Sequence, residues 1–137
     1  MRSYLRVRCN KKFLATIRDF VKEKLADMNI NGRVSHQIVL AVDEACANCM
    51  IHQHQCDNLS TLEISVYKEG NTLYTEIKDP GKAFPMHTYQ PEQLQEIIKK
   101  RAKGGLGISL IHKIMDEIQV KQESTYSLYR LGKNLES

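Results

Sequence analysis

The chain has 137 residues, of which 42% are hydrophobic and 26% charged, proportions that suit one globular domain with its own core. Lys and Arg outnumber Asp and Glu by 20 to 16, and the formal charge of +4 suits a polyanionic small ligand or an acidic partner. No basic run with interleaved aromatics points to nucleic acid, and no apolar run approaches the ~18 residues of a membrane span. The expectation is a single domain over residues 1–137, in the cytoplasm, with no membrane or direct nucleic-acid contact and with its four cysteines reduced.

Arg2 to Arg8 alternate, with Leu5 and Val7 on one side and Arg6 and Arg8 on the other, which predicts a short strand. Asn10 is placed to cap a helix whose apolar stripe is Leu14, Ile17, Val21, Leu25 and Met28, with Asn31-Gly32 as its stop. A second helix is expected from about Val34 to about His54, burying Ile38, Val42, Ala45 and Cys49. Leu62, Ile64 and Val66, then Leu73, Thr75 and Ile77, alternate with polar residues around Glu69-Gly70-Asn71, a hairpin pattern.

Pro80, Gly81, Pro85 and Pro91 break any continuous element after Asp79. A helical piece over Pro91 to Arg101 precedes the run Lys103-Gly104-Gly105-Leu106-Gly107. That run opens a helix carrying Ile108, Ile111, Ile114 and Met115. Ile118 and Val120 begin a strand, Ser124-Thr125 is a turn, and Leu128 and Leu131 fall in a last strand or tail in which Tyr126 and Tyr129 read as exposed. Hairpin strands with grouped helices describe an α/β two-layer sandwich, its sheet mostly antiparallel and covered by helices on one face.

Three segments carry chemistry. Glu44, Asn48 and His52 lie at i, i+4 and i+8, one stripe of the second helix beside its apolar face. The stripe is either solvated or functional. In the functional reading Asn48 offers an oxygen to Mg²⁺ and Glu44 acts as a base near a phosphate. Asp79-Pro80-Gly81 follows a strand directly. Its carboxylate could accept a hydrogen bond from an amine, and Gly81 would let a flat ring approach, although the tripeptide is also an ordinary turn. Gly104, Gly105 and Gly107 leave backbone N–H groups open to phosphate, in neither the Walker A nor the dinucleotide spacing.

In that order the segments resemble the N-box and glycine boxes of the GHKL (Bergerat-fold, histidine-kinase-like ATPase) superfamily. The stretches Ala41 to Asn48 and Gly104 to Ile111, running into Met115-Asp116-Glu117, look like its anti-sigma-factor serine/threonine kinase branch. The resemblance covers nearly the whole chain. It implies an ATP-dependent protein kinase that holds a sigma factor inactive and phosphorylates an anti-anti-sigma (STAS-type) protein in a partner-switching pathway. It further implies that Asn48 holds Mg²⁺, that Asp79 and Gly81 bind adenine, and that Gly104, Gly105, Leu106 and Gly107 wrap the phosphates with Lys103 beside them. By the same resemblance Thr125 gives an adenine-side contact, Lys82 to Lys103 form a mobile lid, and Glu44 activates the acceptor hydroxyl. Members of the branch tend to be homodimers. Two departures, Ile108 where Leu is commoner and no second glycine soon after Gly81, bear on lid shape.

Three rival readings exist, one of them an ATPase domain serving a larger signalling complex. A non-catalytic, nucleotide-gated protein-binding module would keep the same site without transfer. Cys46-x-x-Cys49 with His52, His54 and Cys56 could bind zinc, but one helix supplies four ligands poorly, and Cys46 and Cys49 fall where small apolar residues belong.

Overall fold

The computed structural model describes residues 2–52, 60–81, 83, 85–87 and 107–135, with the backbone alone at 51 and 52. In chain order these form β1 (Ser3–Arg8), a 3-10 turn (Lys11–Phe13), α1 (Leu14–Asp27), α2 (Gly32–His52), β2 (Thr61–Glu69) and β3 (Thr72–Asp79). Then follow α3 (Ile108–Ile114), β4 (Glu117–Gln122) and β5 (Ser127–Asn134). The strands make one sheet of order β1-β2-β3-β5-β4, and every neighbouring pair is antiparallel.

Alternation in the strands sorts the two faces of the sheet. Leu62, Ile64, Val66, Leu73, Ile77, Tyr129 and Leu131 are buried and share one core with the helices. The helical stripes meet them: Ile17, Val21 and Leu25 from α1, and Ile38, Val42, Ala45, Cys46 and Cys49 from α2. The opposite face is polar. Arg2 lies 3.8 Å from the Tyr67 ring centroid, Tyr67 stacks on Tyr74 at 5.4 Å, and Arg130 lies 3.9 Å from Tyr74. Glu76 pairs with both arginines across this face. This is the two-layer α/β arrangement expected from the sequence.

Several expectations are corrected. Asn31-Gly32 does not stop α1. The left-handed residue there is Asn29 (φ 59°), and the Ile30 N–H reaches back to Leu25 O at 2.9 Å, while Gly32 (φ 67°) is the first residue of α2. Tyr129 is not exposed. β5 lies between β3 and β4, so its alternate residues Ser127, Tyr129 and Leu131 point into the core. Cys9 is disulfide-bonded, against the expectation of four reduced thiols, whereas Cys46 and Cys49 are free and buried. Cys56 lies outside the described residues, as do His54 and the helical piece expected over Pro91 to Arg101.

Of the segment expected to be a lid, residues 83 and 85–87 are described. Met86 is fully buried in the core, and the ring of His112 on α3 hydrogen-bonds Met86 O at 2.9 Å. The rest of the expected lid, at 82, 84 and 88–103, lies outside the described residues.

Candidate functional site

The site is organised by α2. Glu44 and Asn48 are one turn apart, and the Asn48 Nδ2 donates to Glu44 O at 2.9 Å. That bond uses the amide's nitrogen and leaves its oxygen over. Asn48 is fully buried, and among the described residues Oδ1 has no partner. The exposed-stripe alternative therefore fails for Asn48. A buried carboxamide oxygen without a donor is uncommon and marks a place where a ligand can complete the bonding.

Glu44 lies against the residue that opens α3. A Cβ built on Gly107 would fall 2.5 and 2.6 Å from Glu44 Cδ and Cγ, so any side chain there would force this carboxylate aside. Burial first, and the neighbouring Asp43 carboxylate second, raise the Glu44 pKa above the usual 4.5. Asp43 itself is paired with Arg18 of α1 at 3.2 Å.

Further along α2, Cys49 faces the end of β3. Its thiol hydrogen-bonds with the Asp79 carboxylate and with Tyr129, and burial holds its pKa well above that of an ordinary thiol. Asp79 is fully buried. Its Oδ1 accepts from the Gly81 N–H at 2.7 Å, and its Oδ2 has no N–H or O–H partner. The thiol is a weak donor and takes up little of the carboxylate's capacity. Burial raises the Asp79 pKa, opposed by the Gly81 N–H and the Cys49 thiol.

Sequence reasoning missed Ser127. It stands directly opposite Asp79 in the β3–β5 register, is fully buried, and donates to Gly81 O at 2.6 Å. Thr125, expected beside adenine, instead sits exposed in the β4–β5 turn. There it lines a shallow hollow with Arg6, Lys78 and Tyr126 on the face of the sheet away from the helices. Strand register decides this, because two residues along a hairpin separate the turn from the strand.

Glu44, Asn48, Asp79, Gly81 and Gly107 are thus brought together along one helix. Lys103, Gly104, Gly105 and Leu106 lie outside the described residues, and nothing about His52 beyond its place at the end of α2 is described. Two of the three cysteines of the suggested zinc set, Cys46 and Cys49, are buried in the core. Among the described residues no group of three or more His, Cys, Asp or Glu could hold a metal ion.

The histidine kinase-like ATPase domain family matches residues 8–132. The chain belongs to this family. As a histidine kinase-like ATPase domain it has a nucleotide-binding fold, and solved structures agree on that fold. The catalytic domain of the histidine kinase ThkA superposes with a TM-score of 0.51 over 96% of this chain and 95% of its own, at 13% identity. The histidine kinase domain of an Erythrobacter litoralis blue-light-activated kinase gives 0.53 over 91% of this chain and 60% of its own, at 15% identity.

Among curated proteins, serine-protein kinase RsbW of Bacillus licheniformis is 33% identical over 92 residues, 62% of this chain and 56% of that protein. The anti-sigma F factor of Anoxybacillus flavithermus is 29% identical over 92 residues, 61% of this chain and 58% of that protein. The match therefore spans little more than half the length of these relatives. Among the described residues no helix is long and apolar enough to cross a membrane.

Proposed function

We propose that this histidine kinase-like ATPase domain is an anti-sigma-factor protein serine/threonine kinase that transfers the γ-phosphoryl group of ATP to a hydroxyl of an anti-anti-sigma (STAS-type) protein. The observation that carries the nucleotide reading is a pair of buried acceptor oxygens, Asn48 Oδ1 and Asp79 Oδ2, that no N–H or O–H among the described residues reaches. Each is an oxygen waiting for a donor or a cation, and an adenine amino group and a hydrated Mg²⁺ are of the right kinds. The names of the curated relatives, serine-protein kinase and anti-sigma F factor, support the choice of acceptor and partner.

Asp79 accepts from the adenine amino group through Oδ2, its other oxygen being held by Gly81. Asn48 offers Oδ1 to Mg²⁺, a fit supported by its burial and by its nitrogen being engaged elsewhere. When bound, Mg²⁺ supplies positive charge that offsets the phosphate oxygens. Gly107, with Gly104, Gly105 and Leu106 before it and Lys103 beside them, surrounds the phosphates. Glu44 takes the proton from the acceptor hydroxyl. That oxygen then bonds to the γ-phosphorus as the bond to the bridging oxygen breaks, and ADP leaves. A raised pKa suits this role, because a carboxylate of ordinary acidity is a poor proton acceptor near neutral pH. In the same reading the domain spans residues 1–137, works in the cytoplasm without contacting nucleic acid, holds a sigma factor inactive, and forms a homodimer.

Titration of the purified chain with ATP and ADP, with and without Mg²⁺, tests the site in the wild type and in Asp79→Asn. Mg²⁺-dependent binding lost on substitution is expected. A folded wild type that binds neither nucleotide would sink the reading. Binding without transfer to a STAS-type protein would leave the non-catalytic module.

A further inference from the structure

The turn that carries Asp79 and Gly81 is held by a side chain that no part of the proposed mechanism uses. Gln122, the last residue of β4, accepts from the Ala83 N–H through Oε1 at 2.6 Å. Its Nε2 donates to Glu123 O at 2.9 Å and to Tyr126 O at 3.2 Å. These three bonds fix which way the amide faces. A flip would set Nε2 against the Ala83 N–H and Oε1 against two carbonyls, opposing every contact. The adjacent Ser127 hydroxyl has one proton, and it goes to Gly81 O at 2.6 Å rather than to Gln122 Oε1 at 3.3 Å. Gly81 and Ala83 are therefore each tied to the β4–β5 hairpin, at the Gly81 carbonyl by Ser127 and at the Ala83 N–H by Gln122.

We propose that Gln122 is a positioning residue for nucleotide recognition: its amide ties the Ala83 N–H to the β4–β5 hairpin, beside the Ser127 tie at Gly81, and thereby steadies the Gly81 N–H that fixes the Asp79 carboxylate. This rests on the reading of Asp79 as the adenine contact. The link is the Gly81 N–H, which holds Asp79 Oδ1 at 2.7 Å and leaves Oδ2 for the ligand. If the turn slackens, that N–H drifts and the free oxygen loses its aim. The same amide also braces the β4–β5 turn, and the two roles are separable. Glu at 122 keeps an acceptor for Ala83 but loses both donors to Glu123 and Tyr126.

The experiment compares wild type, Gln122→Ala, Gln122→Glu and Asp79→Asn for ADP affinity, melting temperature and amide hydrogen exchange at Ala83 in the ligand-free protein. Gln122→Ala is expected to weaken ADP binding about three- to tenfold, the range of one net hydrogen bond. It should also speed exchange at Ala83. Gln122→Glu is expected to recover most of both effects. ADP affinity in Gln122→Ala equal to wild type overturns the proposal. So does a Gln122→Glu variant as weak as Gln122→Ala, which would reduce Gln122 to a hairpin brace. A wild type that binds no ADP, or an Asp79→Asn variant that binds it normally, overturns the site reading and the proposal with it, so the two failures are told apart.

Discussion

Asp79 ionises at a cost to the folded state. Burial raises its pKa above the usual 3.8, so the native protein holds that proton more tightly than the unfolded chain does. The cost is absent below the unfolded value and fully present above the raised folded value. At pH 7 Asp79→Asn is therefore expected to raise the melting temperature while abolishing adenine-nucleotide binding, as calorimetry and titration would show. Glu44 obeys the same sign. As the base it must be ionised, so transfer should fall as pH drops through its raised pKa, giving an acid limb above the ordinary 4.5. Glu44→Gln should cut transfer by about a hundredfold or more while keeping ADP affinity, checked by phosphoryl transfer beside titration. Gly107→Ala places a methyl group within 2.6 Å of the Glu44 side chain and should push the carboxylate away. Transfer should fall about tenfold or more, because small misplacements of a catalytic group are expensive.

β5 shows why one glycine matters in a strand. Gly132 pairs with Tyr74 across β3, and a Cβ there would come 2.8 Å from the Tyr74 ring, which already stacks on Tyr67 and lies beneath Arg130. The ring covers the gap that glycine leaves. Gly132→Val must displace it and is expected to destabilise by ~1–3 kcal/mol in urea unfolding, as overpacked sites do. Much of α2 was legible from its sequence. The apolar stripe predicted its buried face, and the i, i+4 spacing put Glu44 and Asn48 on one side. What the spacing could not say was that Asn48 is buried with its oxygen unpartnered, since that depends on what packs over the helix. Ser127 was illegible for a similar reason. Nothing nearby in sequence marks it, and its importance arises from standing opposite Asp79 in a strand partner 48 positions away.

Long-range pairing sets the architecture: β1 joins β2 across both helices, and β3 joins β5 across the lid segment and α3. Cys9 adds a covalent tie at the end of β1, where its N–H also bonds Ser60 O at 2.9 Å. Cys9→Ser is expected to cost ~2–4 kcal/mol in non-reducing buffer, and the wild type should lose a similar amount on reduction, read as melting temperature. The amino-acid sequence alone determined the order of the described elements, the α/β class and the helical placement of Glu44 and Asn48, because periodicity and short motifs are local properties. Tertiary structure decided the rest: Asp79 against Cys49, Gly107 against Glu44, Ser127 rather than Thr125 beside Asp79, the interior place of β5 and the disulfide at Cys9. Each of these is a contact between segments far apart in the chain, and only the closure of the sheet under its helices brings them within reach.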